Sequence, residues 1–359
     1  MTLPLALMPR LEPSRAMTWA SPAIAIVLTL LAGALLFAVM GTSPAAGLKV
    51  FLWEPLATRR GWSELGLKAT PLMLCAVGLA VCFRANIWNI GAEGQLIAGA
   101  IAGGGIALLA TRASSSLLVP AIIAAAAFGG AAWAAITAWL RDRFNANEIL
   151  VSLMLVYVAQ LLLAWLVQGV WKDPEGFGFP QSKLFEPAAR MPIIIAGTRL
   201  NVGFVLALAA VAALWLMLAK TVVGFQLKVA GLAPAAARYA GFSDRRLAWF
   251  ALLLSGALAG VAGGIEATGP VGQLTPTISP GYGFAAIIVA FVGRLHPVGI
   301  ALASVVMALF YIGGELAQSR LGLPSALTGV YQGLLLFFLL ACDTLIAYRV
   351  VRRPAAAAA

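Results

Sequence analysis

The sequence predicts an all-α, polytopic membrane protein of about ten transmembrane helices, with the N- and C-termini both inside. Three observations carry this. Hydrophobic residues make up 62% of the 359 and charged residues only 10%, whereas a soluble domain carries about 25% charge. The apolar residues gather into separate runs, most of them close to the 20 or so needed to cross hydrocarbon. Lysine and arginine recur in alternate short connections, as the retention of basic loops on the inner side of a membrane requires.

The first span, 20–40, follows Arg10 and Arg15. It is longer than the 7–15 apolar residues, roughly, of a cleaved signal peptide, so it reads as a retained helix. Further spans follow at about 65–83, 87–110, 117–139, 149–168, 200–219, 247–265, 283–293, 297–317 and 326–347. Together they make one transmembrane domain over 1–359 that leaves no room for a large soluble one. All are expected to be helical, because lipid offers no partner to an open backbone. The run 283–293 is too short to cross about 30 Å alone. It borrows from 266–282 or is a half-helix.

With the N-terminus inside, the inner segments hold Arg84, Arg141, Arg143, Lys220, Lys228, Arg238, Arg245, Arg246, Arg294, Arg349, Arg352 and Arg353. The short outer loops carry Arg112 and Arg320, and most other basic residues lie in or beside two long outer segments, 41–68 and 169–199. The net charge of +11 is therefore topological and does not point to nucleic acid. Trp53, Pro55 and Trp62 suggest that 41–64 lies at the outer surface. The prolines and acids of 169–199 suggest an ordered outer loop, and 354–359 reads as a frayed end. Dense glycines, among them Gly99, Gly103, Gly104 and Gly105 in the third span and Gly256, Gly260, Gly263 and Gly264 in the seventh, suit close helix packing.

Cys75 and Cys82, seven apart on one helix, are too distant along its axis to be bridged. With Cys342 and a lone His296 they are too few for a zinc site, so no metal or cofactor is expected. The sequence has no P-loop, no H-E-x-x-H and no G-x-S-x-G run, which argues against an enzyme. Glu93, Glu266 and Glu315 could relay protons, which keeps a proton-coupled carrier as an alternative of another class.

Polar groups at membrane depth are costly and so are informative. The densest set is Asn86, Trp88, Asn89, Glu93 and Gln95, punctuated by Gly91 and Gly94. It is either a turn with a helix cap or a broken helix beside a wet cavity. Helical spacing places Asn89 and Glu93 on one face, with Gln95 off it, and leaves Arg84 too far along the axis to pair with Glu93 unless Gly91 breaks the helix. A second set, 266–284, has proline and glycine enough to break any helix; its Tyr282 and Phe284 could stack on a planar solute or sit in an interfacial belt. The third is the inner loop 220–246. Gly231 ends one segment there, Pro234 opens a short helix bearing Ala236 and Arg238, and Gly241 closes it. This is a docking element or a plain linker.

These residues carry a resemblance. NIWNIGAEGQLIAGA at 86–100 resembles the hallmark of bacterial ABC-transporter permeases of the monosaccharide, branched-chain amino acid and nucleoside class. Its NIG-x-EGQ form is similar to the nucleoside, or simple sugar, subgroup that works with basic membrane lipoproteins. NEILVSLMLVYVA at 147–159 resembles another segment of that subgroup, with Val156 where the pattern has Asn. The stretches 224–242 and 281–300 resemble its cytoplasmic coupling loop and a later glycine-rich segment.

The resemblance implies a permease subunit in the cytoplasmic, or inner, membrane that forms the translocation pathway for a nucleoside or purine-like solute, with a ribose- or galactose-type sugar as the alternative. It implies three partners besides membrane lipid: a second, related permease subunit, an ABC ATPase with two nucleotide-binding modules, and an extracytoplasmic solute-binding lipoprotein. Asn86, Trp88, Asn89, Glu93, Gln95, Tyr282 and Phe284 would line the pathway or support a broken helix. Gly231, Pro234, Ala236, Arg238 and Gly241 would belong to the ATPase-coupling loop.

Overall fold

The computed structural model describes residues 5–10, 12, 14–111 and 117–352. Arg112, Arg353 and the 354–359 tail lie outside the described residues. In chain order the elements are β1 (Leu5–Pro9), α1 (Arg15–Val39), α2 (Pro44–Leu48), a π-helical turn (Lys49–Trp53), α3 (Glu54–Leu56), α4 (Arg59–Arg84), α5 (Ala92–Leu108), α6 (Leu118–Phe144), α7 (Glu148–Gln168), α8 (Gly203–Lys220), α9 (Val222–Leu232), α10 (Pro234–Tyr239), α11 (Asp244–Glu266), a π-helical turn (Ala267–Val271), α12 (Tyr282–Val292), α13 (Pro297–Leu321), α14 (Ala326–Ala347) and β2 (Tyr348–Arg352).

Among the described residues eight helices are long and apolar enough to cross a membrane: α1, α4, α6, α7, α8, α11, α13 and α14. The other two expected spans are short helices, α5 with 17 residues and α12 with 11. The expected third span therefore starts late, at Ala92 rather than 87. The second starts early, at Arg59 rather than 65, because Thr58 caps it by accepting from the Gly61 N–H at 3.0 Å. Its first turns carry Arg59, Arg60, Glu64 and Lys68, charges that hide a helix from an apolar count. The 220–246 segment holds two helices, α9 and α10, where one was expected. The antiparallel pair β1–β2 is an addition to the expected all-α class.

The chain divides into two compact units, residues 1–57 with 310–359, and 58–309. In the first, α1 packs along α14, where Ser21 donates to Asp343 at 2.5 Å. Phe37, Phe51, Phe310 and Tyr331 form its buried aromatic centre, with Phe51 and Tyr331 stacked at 4.3 Å. Arg320 pairs with Glu54.

The second unit is centred on α4, α5, α6 and α11. Glycine sets the distances between them. A Cβ at Gly99 would meet the backbone of Gly260, one at Gly130 the Gly256 carbonyl, and one at Gly263 the Leu96 carbonyl. The helices thus touch backbone to backbone, as small-xxx-small faces allow. The 169–199 segment is ordered by the broken segment after α11. The N–H groups of Ser182, Phe185 and Met191 donate to the carbonyls of Leu274, Gly272 and Thr268 at 2.8–3.0 Å, and the Leu274 N–H donates back to Ser182 Oγ at 2.9 Å.

Candidate functional site

The residues between α4 and α5 run without helix from Ala85 to Gly91. Asn86 turns the chain in a left-handed conformation, φ 56°, which asparagine tolerates better than most residues. An irregular backbone at membrane depth needs polar partners, and side chains from three helices supply them. Asn89 is the centre. Its Nδ2 donates to Gln95 Oε1 and to Ser255 Oγ, each at 3.1 Å. Its Oδ1 accepts from the Gly91 N–H at 3.0 Å and from Gln95 Nε2 at 3.1 Å. The Ile90 N–H donates to Ser152 Oγ on α7 at 3.2 Å. Asn89, Gln95, Ser152 and Ser255 are all buried.

This corrects the helical pairing expected of Asn89 and Glu93. Asn89 precedes the helix, and its partner is Gln95. Ser152 and Ser255 were not foreseen. Their only sequence signal is a hydroxyl within an apolar span, and serines in such places usually bond their own helix. Gly91 and Gly94 are small for a reason: a Cβ on either would stand 2.9 Å from Ser152 Cβ or Val156 Cα. Val156, where the resembled pattern has Asn, is fully buried against Gly94.

Glu93 occupies the first turn of α5, is 2% exposed and reaches across to α12. Its Oε2 accepts the Gly283 N–H at 2.6 Å; Gly281 N–H and Ser279 Oγ also bond to it. Ser279 in turn accepts from the N–H groups of Gly281 and Tyr282. Gly283 can have no side chain, because a Cβ would strike the backbone of Ala92 and Glu93. Two helix N-termini therefore face each other. The Glu93 carboxyl joins them, accepting N–H groups at the start of α12 from within the first turn of α5.

Arg84, weighed as a partner for Glu93, is engaged elsewhere: its Nε donates to the Leu295 carbonyl at 3.0 Å. α12 has 11 residues, roughly 16 Å of helix, about half the thickness of the hydrocarbon, and Glu93 lies at its N-terminal end.

The aromatic side chains divide. Tyr282 is fully buried, with Lys68 Nζ 5.9 Å from its ring centre, so in this state it offers no face to a solute and supports the broken helix. Phe284 is partly exposed. Trp88 is 40% exposed, bonds Asn86 through its indole N–H at 3.2 Å, and lies over Phe291 at 6.2 Å, itself stacked on Phe83 at 5.2 Å.

In the 220–246 segment, Gly231 packs against the Arg84 carbonyl and Ala85, so it seats α9 on the bundle. Ala237 is the buried residue of α10, while Pro234, Ala236, Arg238 and Tyr239 are exposed. Gly241, at φ 78°, ends the helix. Arg238 pairs with Asp244 at 3.8 Å, and Arg245 with Asp142 at 2.6 Å. Among the described residues no three His, Cys, Asp or Glu converge as metal ligands.

A family model described as the permease component of branched-chain amino acid transport systems matches residues 63–340. The chain belongs to this permease family. It is 34% identical to a glucose ABC transporter permease protein of Haloferax volcanii, over 98% of this chain and 94% of that one. It is 32% identical to a guanosine ABC transporter permease protein of Bacillus subtilis, over 88% and 91%. It is 27% identical to a nucleoside ABC transporter permease protein of Lactococcus lactis, over 89% of each. The permease is thus a multi-pass protein of the cytoplasmic membrane and a transport subunit rather than a catalyst. Family membership removes the proton-coupled carrier as a reading.

Proposed function

We propose that this permease forms the translocation pathway of an ABC importer for a nucleoside or purine-like solute. Similarity to guanosine and nucleoside permeases over most of the chain supports the solute class. The observation that carries the reading in the molecule is Trp88, whose half-exposed ring lies beside the amide of Asn86. A flat aromatic face next to a hydrogen-bonding amide suits a purine. The Haloferax relative favours a second reading, a monosaccharide. Uptake of labelled guanosine and labelled glucose, in cells with and without the chain, separates the two. Guanosine uptake that vanishes with the chain is expected, and glucose uptake alone would establish the second reading.

ATP hydrolysis belongs to a separate ATPase with two nucleotide-binding modules, which docks on α10 at the inner end. A second, related permease completes the pathway, and a lipoprotein delivers the solute from outside. The basic residues of 220–246 support an inner placement of that loop, with both termini on the same side. Tyr239, 97% exposed, and Arg238 form the outward face of α10. Arg238→Glu is expected to leave insertion and ATPase activity intact and to reduce uptake at least about ten-fold, since a reversed charge at an interface costs several kcal/mol. Unchanged uptake by this variant would remove α10 from the coupling surface.

A further inference from the structure

Beside the seat of α9 the second unit holds an open cavity of about 600 Å³. Its charged lining is basic: Arg84, Lys228 and Arg294, from three separate stretches of chain, with Asn86 beside them and no acid among the lining residues. The rest of the wall includes Leu218 and Leu232.

Two local arrangements hold the cations in place. Arg84 spends only its Nε on the Leu295 carbonyl, which leaves the two terminal nitrogens of its fork for a planar or tetrahedral anion. Arg294 and Leu295 are consecutive non-glycine residues in the left-handed region, φ 58° and 54°. Such a pair is costly and persists where its surroundings fix it. The N–H groups of Arg294 and Leu295 close back on Phe291 and Ala290, and Arg84 pins the Leu295 carbonyl.

Leu218 and Leu232 of the lining belong to α8 and α9, and the same helices expose Trp215, Leu216, Val222 and Phe225, the kind of surface a helix presents to acyl chains at a membrane boundary. We propose that this cavity is a binding site for the phosphate-bearing headgroup of an anionic phospholipid, whose chains lie along α8 and α9. A basic pocket between membrane helices beside exposed apolar surface fits that chemistry. A free phosphate shares the charge but makes no use of the apolar rim.

The site touches Gly231 and Arg84, so a bound lipid bridges the α9 loop to the start of the broken segment. It does not depend on which solute is carried.

The test uses the assembled transporter in neutral detergent, titrated with dioleoylphosphatidylglycerol, dioleoylphosphatidylcholine or sodium phosphate, with bound lipid counted by native mass spectrometry. One phosphatidylglycerol adduct is expected that phosphatidylcholine does not form. Lys228→Gln, at an exposed position, is expected to weaken it about five-fold, as for one cation near a membrane surface. Arg294→Gln should weaken it as well. Arg246→Gln, an exposed charge in the same loop but away from the cavity, should leave it unchanged and reports on correct assembly. Equal binding of the two lipids overturns the proposal, as does undiminished binding by both cavity variants. If millimolar phosphate displaces the adduct as well as added phosphatidylglycerol does, the ligand is free phosphate and the lipid source is overturned.

Discussion

Glu93→Gln is expected to lower the thermal midpoint of the assembled transporter by about 5 °C or more. The glutamine can still accept the Gly283 N–H, but its amide NH2 replaces the second carboxyl oxygen beside Gly281 and Ser279. A buried hydrogen bond left unmade costs about 1–3 kcal/mol, and 1 kcal/mol shifts a chain this large by a few degrees, about 2–4 °C. Glu93→Leu removes the acceptor too and leaves buried N–H groups unpaired, at about 1–3 kcal/mol each, so it should fail to assemble. If Glu93 instead serves as a contact for the solute, Glu93→Gln will assemble with an unchanged midpoint and altered uptake kinetics. A differential scan of the purified complex, paired with uptake, separates these outcomes; normal values of both would refute either role.

Gly260→Leu is expected to have the other large effect, the loss of folded transporter from the membrane. A Cβ at 260 would meet the Ala126 carbonyl, then Gly130 Cα at 2.9 Å. The obstacle is backbone, which no rotamer change relieves. Overpacking where side chains can yield costs about 1–3 kcal/mol, and here α6 and α11 must separate along their length. Gly333→Ala on α14 is the matched control, since nothing lies within 4 Å of its built Cβ. A monodisperse size-exclusion peak for the control and none for Gly260→Leu is the expected pair. A normal peak for Gly260→Leu would show that the helices tolerate a wider spacing than the structure has.

Helix positions were legible because the length of an apolar run is a local property. The runs at 149–168 and 326–347 become α7 and α14 within a residue. The start of α4 was not, because Arg59, Arg60, Glu64 and Lys68 belong to a helix by capping and geometry rather than by apolarity. The polar cluster at 86–95 could be found from composition, but its wiring could not. Whether Asn89 faces Glu93 or folds back on Gln95 depends on where the helix begins, and that depends on Ser152 and Ser255, far away in sequence. The partner of Glu93 is 190 residues distant, and nothing near either residue announces it.

That separation bears on how the protein is made. Helix α12 alone is too short to cross the bilayer, and α5 is at the lower limit; each begins against the other's first turn. At about 5–20 residues per second, a ribosome needs on the order of 10–40 s to travel from Glu93 to Gly283. Throughout that interval α5 sits in or beside the translocation machinery with an acidic group in its first turn whose partner on α12 has yet to be made. The early half of the chain therefore stays unfinished until the late half arrives. Truncation before residue 283 should leave a product that cellular quality control removes rather than a smaller, stable bundle.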